Sequence, residues 1–313
     1  MKIAVLDDYQ NVALDRADWS GLNAEVTVFT DHIPDVDELA RALAGFEVVV
    51  AMRERTRFSA DVLARLPDLR LLVTTGPRNA AIDVAAATRQ GVVVCGTGYH
   101  PEPTVELTWA LILAAARNLP TEERAVRDGG WQRTVGTELR GKTLGLLGLG
   151  NLGSRVARIG QAFGMDTIAW SENLTPGRAA EHGVRAVTKD ELFAAADVLS
   201  VHLVLSSRTR GLVGGAELAA MKPSSILVNT SRGPIVDQDA LLDALRRETI
   251  RCAALDVYDT EPLPADHPLR ALPNTVLTPH IGYVTSELYE VFYRDAVEDI
   301  AAFRAGHPVR VID

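Results

Sequence analysis

A glycine run and three polar strand ends carry the chemistry legible in this chain. The run Gly148-Leu149-Gly150-Asn151-Leu152-Gly153 follows the apolar stretch TLGLLG and opens a helical pattern, SRVARIGQAFG. In that strand-to-helix setting a GxGxxG turn reads as a dinucleotide-binding turn. Gly148 permits the tight turn, Gly150 lets the backbone approach a pyrophosphate, and Gly153 allows the helix to pack close on the strand. The first turn of that helix, from Asn151 and Leu152, presents unpaired N–H groups and a positive dipole end to the phosphates. The ribose reader belongs at the end of the next strand, Trp170-Ser171-Glu172-Asn173. Glu172, 24 residues after Gly148, suits a ribose hydroxyl, but Ser171 directly follows the aromatic, so the turn leaves NAD and NADP both open.

Three later segments place polar side chains just after apolar runs, where open α/β sheets collect ligands. These are VNTSRGPIVD with Arg232, ALDVYDTEPLP with Asp256 and Glu261, and LTPHIGYVT with His280. An imidazole can give and take a proton near neutral pH. A carboxylate beside it favours the protonated form. A guanidinium offers a planar fork for a carboxylate.

The elements that must hold these residues are short β-rich runs alternating with helical patterns, the signature of parallel α/β sheets. In the first third the runs begin at Lys2, Glu25, Glu47, Leu71 and Val92, with DVDELARALAG among the intervening helices and Gly45 as its stop. A helical stretch from Val105 to Arg127 and a polar connector lead to a second series beginning at Lys142, Asp166, Asp197, Ser225, Cys252 and Asn274. About six strands make a complete dinucleotide-binding sheet. The last helical pattern, Glu287 to Phe303, is long enough to return to the first domain, so the expected division is 1–98 with 285–313, and 99–284. The fold class is therefore α/β with two doubly wound parallel-sheet domains.

Composition narrows the function. At roughly 150 residues per domain, 313 residues suggest two domains. Hydrophobic residues at 47% and charged residues at 23% exclude disorder, collagen and coiled coil. A net charge of −9 argues against nucleic-acid and anionic-membrane partners. The N-terminus turns acidic after six residues, and the longest apolar stretch, Leu107 to Ala116, is too short for a bilayer, so a cytoplasmic protein is expected. Cys95 and Cys252 share no local spacing. His32, His100, His182, His202, His267 and His307 form no HxxxH or HExxH pattern, and no metal is expected.

The stretches VHLVLSSRTRGLVG, GKTLGLLGLGNLG, MKPSSILVNTSRGPIVDQDALLDAL and ALDVYDTEPLPADHPLRALPNTVLTPHIG together resemble the D-isomer-specific 2-hydroxyacid dehydrogenase family. The resemblance implies a Rossmann cofactor domain inserted into a flavodoxin-like substrate domain. It also implies hydride transfer between a nicotinamide cofactor and a small D-2-hydroxy or 2-keto acid; the cofactor is NAD or NADP, with a slight preference for NAD. Arg232, Glu261 and His280 match the family's catalytic trio, with His280 as general acid/base, and Thr230 and Asp256 match cofactor contacts. Arg53 matches a substrate-side arginine; His202 matches a strand-end histidine read as structural. Gly76 opens a loop that the family writes G-x-G-x-D-N-I-D and this chain writes Gly76-Pro77-Arg78-Asn79-Ala80-Ala81-Ile82-Asp83. Arg78 in place of the second glycine adds a cation to the expected substrate wall. The family pairs subunits through the region of the apolar helix Leu107–Ala116, so a homodimer is expected. The other readings are an NAD(H)-binding regulator of corepressor type without turnover, and a relative that takes hydride from formate or phosphite.

Overall fold

The five apolar runs of the first hundred residues fold as parallel strands: β1 (Lys2–Val5), β2 (Glu25–Val28), β3 (Val48–Ala51), β4 (Leu71–Thr74) and β5 (Val93–Gly96), in the order β2-β1-β3-β4-β5. β3 and β4 are buried along their whole length while edge strand β2 is not, which is why the central runs read as unbroken Val and Leu. The crossover helices α1 (Val36–Ala42), α2 (Ala60–Ala64) and α3 (Val84–Arg89) start at Asp35, Ser59 and Asp83. Each of these side chains accepts the N–H three residues on, the bond that makes such residues good helix starters. The computed structural model describes every residue from Met1 to Asp313. The chain divides into Met1–His100 with Val284–Asp313, hereafter unit 1, and Pro101–Tyr283, unit 2.

Unit 2 begins with α4 (Glu102–Ala116) and α5 (Leu119–Arg127) and continues β6 (Thr143–Leu147), α6 (Asn151–Ala162), β7 (Asp166–Trp170), α7 (Pro176–Ala180), β8 (Arg185–Ala186) and α8 (Lys189–Ala195). It closes with β9 (Val198–Val201), α9 (Gly215–Ala220), β10 (Ile226–Asn229), α10 (Gln238–Arg246), β11 (Cys252–Leu255) and β12 (Thr275–Leu277). Its seven parallel strands run β12-β11-β10-β9-β6-β7-β8, so the order reverses beside β6, the strand that feeds the glycine turn. The two-residue edge strand β8 adds to the six strands expected. No helix is long and apolar enough to cross a membrane.

Two expectations change here. The single helix expected over Val105–Arg127 is two, because Asn118 takes a left-handed backbone (φ +50°) and Pro120 has no N–H with which to continue α4. The apolarity of α4 is also accounted for within its own unit. Trp109, Leu111, Ile112, Ala115 and Ala116 are buried with Leu144, Leu146, Val156 and Val228, and Trp109 stacks on Phe163 at 4.9 Å. A run of exposed apolar side chains lies further along, at Leu119, Val126, Trp131 and Val135.

The last helix, α11 (Ser286–Arg304), returns the chain to unit 1, and Gly306 (φ +80°) follows its end. Beyond it Gly96 donates its N–H to the Arg310 carbonyl and Ile312 donates to Val94, adding an antiparallel segment beside β5.

Candidate active site

The glycine turn follows β6 directly. Gly148 has φ +104°, and a Cβ there would sit 2.6 Å from the His202 carbonyl oxygen. A Cβ on Gly153 would overlap the Gly148 carbonyl, whereas one on Gly150 meets nothing within 4 Å. Gly148 and Gly153 are therefore fixed by internal packing, while Gly150 borders open space. Gly150 is the N-cap of the twelve-residue α6 and brings no side chain to bond its first-turn N–H groups. Those donors, the dipole end and the open approach fit a pyrophosphate. The Gly148 N–H donates to the Trp170 carbonyl at 2.8 Å, which sets the end of β7 beside the turn, with Ser171 half-buried and Glu172 exposed next in sequence. His202 lies under the turn; its Nε2 is 2.9 Å from Ser200 Oγ, and burial pulls its pKa down to about 4, so it is neutral there.

The polar strand ends gather around Glu261. Its Oε2 lies 2.5 Å from His280 Nδ1, and its Oε1 accepts the Tyr258 N–H at 2.8 Å. Gly233, next to Arg232, packs so closely on the Tyr258 backbone that any Cβ would overlap it. The loop after β10 is shaped by Asn229, which accepts the Ser231 N–H and donates to the Arg232 carbonyl, and Ser231 Oγ donates to Val201. Arg232 NH1 donates to the Ser231 carbonyl at 2.7 Å. Thr230, buried, is 2.8 Å from Thr108 Oγ1 of α4.

Asp256 follows β11 and is 1% exposed. Its Oδ1 accepts Thr278 Oγ1 at 2.6 Å and the Ile281 N–H at 2.9 Å, and its Oδ2 accepts the Gly282 N–H at 2.9 Å. Burial raises its pKa above the usual carboxylate range, and these bonds oppose the rise. The effect on the chain is to hold both residues that follow His280 while His280 itself takes φ +53°, a conformation few residues other than glycine adopt freely. The side chain read as a cofactor contact is thus also a clamp on the histidine loop. Nothing local in the sequence signals that clamp, because Thr278, Ile281 and Gly282 lie more than twenty positions from Asp256.

Unit 1 places Arg53 and Gly76 against each other and leaves Arg78 apart. Arg53 takes φ +51°; its N–H donates to Thr75 Oγ1 and its NH1 to the Thr75 carbonyl at 3.1 Å. Its guanidinium lies 3.7 Å from Glu54 and 5.6 Å from the centre of the Tyr99 ring. Gly76 has φ +91°, and a Cβ there would overlap Arg53 NH1. Asn79 Nδ2 donates to the Arg53 carbonyl and to Thr74 Oγ1, fixing the departed loop by side-chain bonds. Arg78 is exposed and makes no ion pair or hydrogen bond.

Residues 109–282 match the family model for the D-isomer specific 2-hydroxyacid dehydrogenase NAD binding domain. Among known proteins, a glyoxylate reductase of Aeropyrum pernix is 45% identical over 260 residues, 80% of this chain and 78% of its own. A D-3-phosphoglycerate dehydrogenase of Archaeoglobus fulgidus is 37% identical over 313 residues, 99% of this chain but only 58% of the longer relative. A solved phosphoglycerate oxidoreductase of Vibrio cholerae superposes with a TM-score of 0.93 at 42% identity, covering 98% of this chain and 99% of that one. The glycine turn and the His280 loop both fall inside the matched domain, and the chain belongs to the D-isomer-specific 2-hydroxyacid dehydrogenase family of NAD-dependent oxidoreductases acting on 2-hydroxy and 2-keto acids.

Proposed function

We propose that this protein interconverts a small 2-keto acid and its D-2-hydroxy acid, with His280 as the acid–base group. The observation that carries the reading is the 2.5 Å pair between Glu261 and His280 Nδ1. With Nδ1 held, Nε2 is the atom left to deliver a proton to the keto oxygen as negative charge develops there, and to take it back in the oxidation. The nicotinamide, when bound, supplies or accepts the hydride. Arg232 offers its guanidinium to the substrate carboxylate and keto oxygen, and Arg53, Gly76 and Arg78 are the proposed substrate contacts of unit 1. The proposed cofactor contacts are the turn Gly148, Gly150, Asn151, Leu152 and Gly153, with Ser171, Glu172, Thr230 and Asp256. NAD is preferred over NADP on this reading, since the exposed Glu172 carboxylate would accept from a ribose hydroxyl and repel a phosphate in its place.

The proposed assembly is a homodimer. Trp131 is 72% and Val135 92% exposed, with Leu119 and Val126 nearby in sequence, a density of uncovered apolar side chains that a second copy would bury. The test of the function is a panel of glyoxylate, hydroxypyruvate, pyruvate, phenylpyruvate and phosphohydroxypyruvate with NADH and with NADPH. Turnover of at least one keto acid supports the reading. Tight cofactor binding without turnover of any, or turnover only with formate or phosphite as hydride donor, overturns it.

A further inference from the structure

Three buried threonines connect the two loops that carry His280 and Arg232. Thr104, in the first turn of α4, donates from Oγ1 to the Gly282 carbonyl at 2.9 Å. Thr108, one turn on and fully buried, donates from Oγ1 to the Thr104 carbonyl at 2.7 Å. Its oxygen is also 2.8 Å from Thr230 Oγ1. A threonine hydroxyl has a single proton. With that of Thr108 given to Thr104, the remaining bond has only one polarity, from Thr230 Oγ1–H to Thr108. The other hydrogen bonds of the Gly282 end run to Asp256, so one side of the histidine loop is held by the carboxylate and the other by α4.

From this geometry we propose that Thr108 is a positioning residue for the cofactor side of the site. By taking the proton of Thr230 it leaves that hydroxyl as an acceptor toward any bound group, suited to an amide or hydroxyl donor and not to a phosphate oxygen. By backing onto Thr104 it ties the position of Thr230 to that of Gly282, two residues beyond His280. A helix core otherwise filled by Trp109, Leu111 and Ile112 has no packing need for a hydroxyl at this position, where valine has nearly the same shape. The proposal rests on Thr230 facing the nicotinamide cofactor, as in the reading above.

The test measures binding of the tighter reduced cofactor by fluorescence, which needs no turnover. Thr108→Val should weaken binding about tenfold, with thermal stability of the free protein little changed, because Thr230 then loses the partner that fixes its proton. Thr108→Ser, which keeps the hydroxyl, should restore binding to within about twofold of the parent. In a Thr230→Val background, adding Thr108→Val should cost less than about twofold more, as expected when the two act as one unit. Should Thr108→Val not fold, Thr108→Ala makes the same cut with less crowding and takes its place in the cycle. Unchanged binding in the single variant, fully additive losses in the double, or failure of serine to rescue would each overturn the proposal. A parent that binds cofactor tightly yet reduces no keto acid would sink the proposed reaction and leave this result standing; a parent that binds neither cofactor would sink both.

Discussion

Glu261 touches His280 through one carboxylate oxygen and the Tyr258 backbone through the other, so a single side chain fixes the imidazole to the segment on which the Arg232 loop rests. Nδ1 is committed to this bond, which on the proposed function leaves Nε2 to meet the substrate. His280→Ala should lower kcat for reduction roughly 10²–10⁴-fold with little change in cofactor affinity. Glu261→Gln should also lower kcat, by less than the loss of His280 itself, since the imidazole keeps its place but loses the carboxylate that holds Nδ1. Steady-state rates with the best keto acid check both. A His280→Ala enzyme keeping half its turnover, or a Glu261→Gln enzyme with unchanged kcat, would contradict the assignment.

Gly76→Ala separates the substrate side from the cofactor side. The added methyl falls on the Arg53 guanidinium and forces a residue other than glycine to hold φ +91°. Arg53 must then leave the Thr75 carbonyl. KM for the keto acid should rise by about tenfold or more, the loss of a charge-assisted contact. Cofactor Kd should stay put, because the change is confined to unit 1. A cofactor affinity that falls in parallel with KM would mean that Arg53 does not serve the substrate.

His202 gives unit 2 a pH signature of its own. Its pKa falls from 6.5 to about 4 on burial, so between these values the unfolded chain carries a proton there that the folded chain does not. Stability then rises with pH, is complete above about pH 6.5, and is lost as pH falls toward 4. The linkage amounts to about 3 kcal/mol at most. His202→Gln should have a flatter dependence of Tm on pH across that window, whatever its stability at neutral pH. Parallel curves for parent and variant would show that the imidazole is not held neutral under the turn.

Much of this was legible because parallel sheets buried on both faces write themselves as runs such as VVVA and LLVT, and because the glycine turn has a strand before it and a helix after it. What escaped has physical reasons. The break at Asn118 depends on one residue in a left-handed conformation, and β8 is only two residues long. The Asp256 clamp and the contact of Arg53 with Gly76 join positions about twenty or more apart, by bonds that no period or motif encodes. The threonine chain is hidden in a helix whose apolar neighbours dominate its pattern. That same pattern suggested α4 as the dimer surface, but its apolar side chains are buried within unit 2, and a run of exposed ones follows it.

The proposed dimer is tested at those side chains. At micromolar concentration the parent should sediment at twice the 33.8 kDa chain mass. Trp131→Ser combined with Val135→Ser should shift it toward the single chain, because these are the most exposed large apolar residues of the segment. α4 substitutions would instead damage the core of unit 2. A parent that sediments as a single chain removes the dimer altogether.

Arg78 should distinguish substrates by charge. On the proposed function Arg53 serves the substrate carboxylate, and its guanidinium is already shared with the Thr75 carbonyl, Glu54 and Tyr99. Arg78 has none of these commitments: it is exposed, without an ion pair, on a loop held in place by Asn79. A cation so placed is expected to favour a substrate with a second anionic or strongly polar group. Water and salt weaken an exposed contact of this kind, which keeps the effect modest. Arg78→Ala should raise KM about tenfold for phosphohydroxypyruvate or whichever such acid is the best substrate. For pyruvate, which lacks the second group, the rise should be smaller, and the difference should shrink as salt is added. The decisive measurement is the ratio of the two KM changes at low ionic strength. A ratio near one would mean that Arg78 only shapes its loop and that substrate charge is read elsewhere.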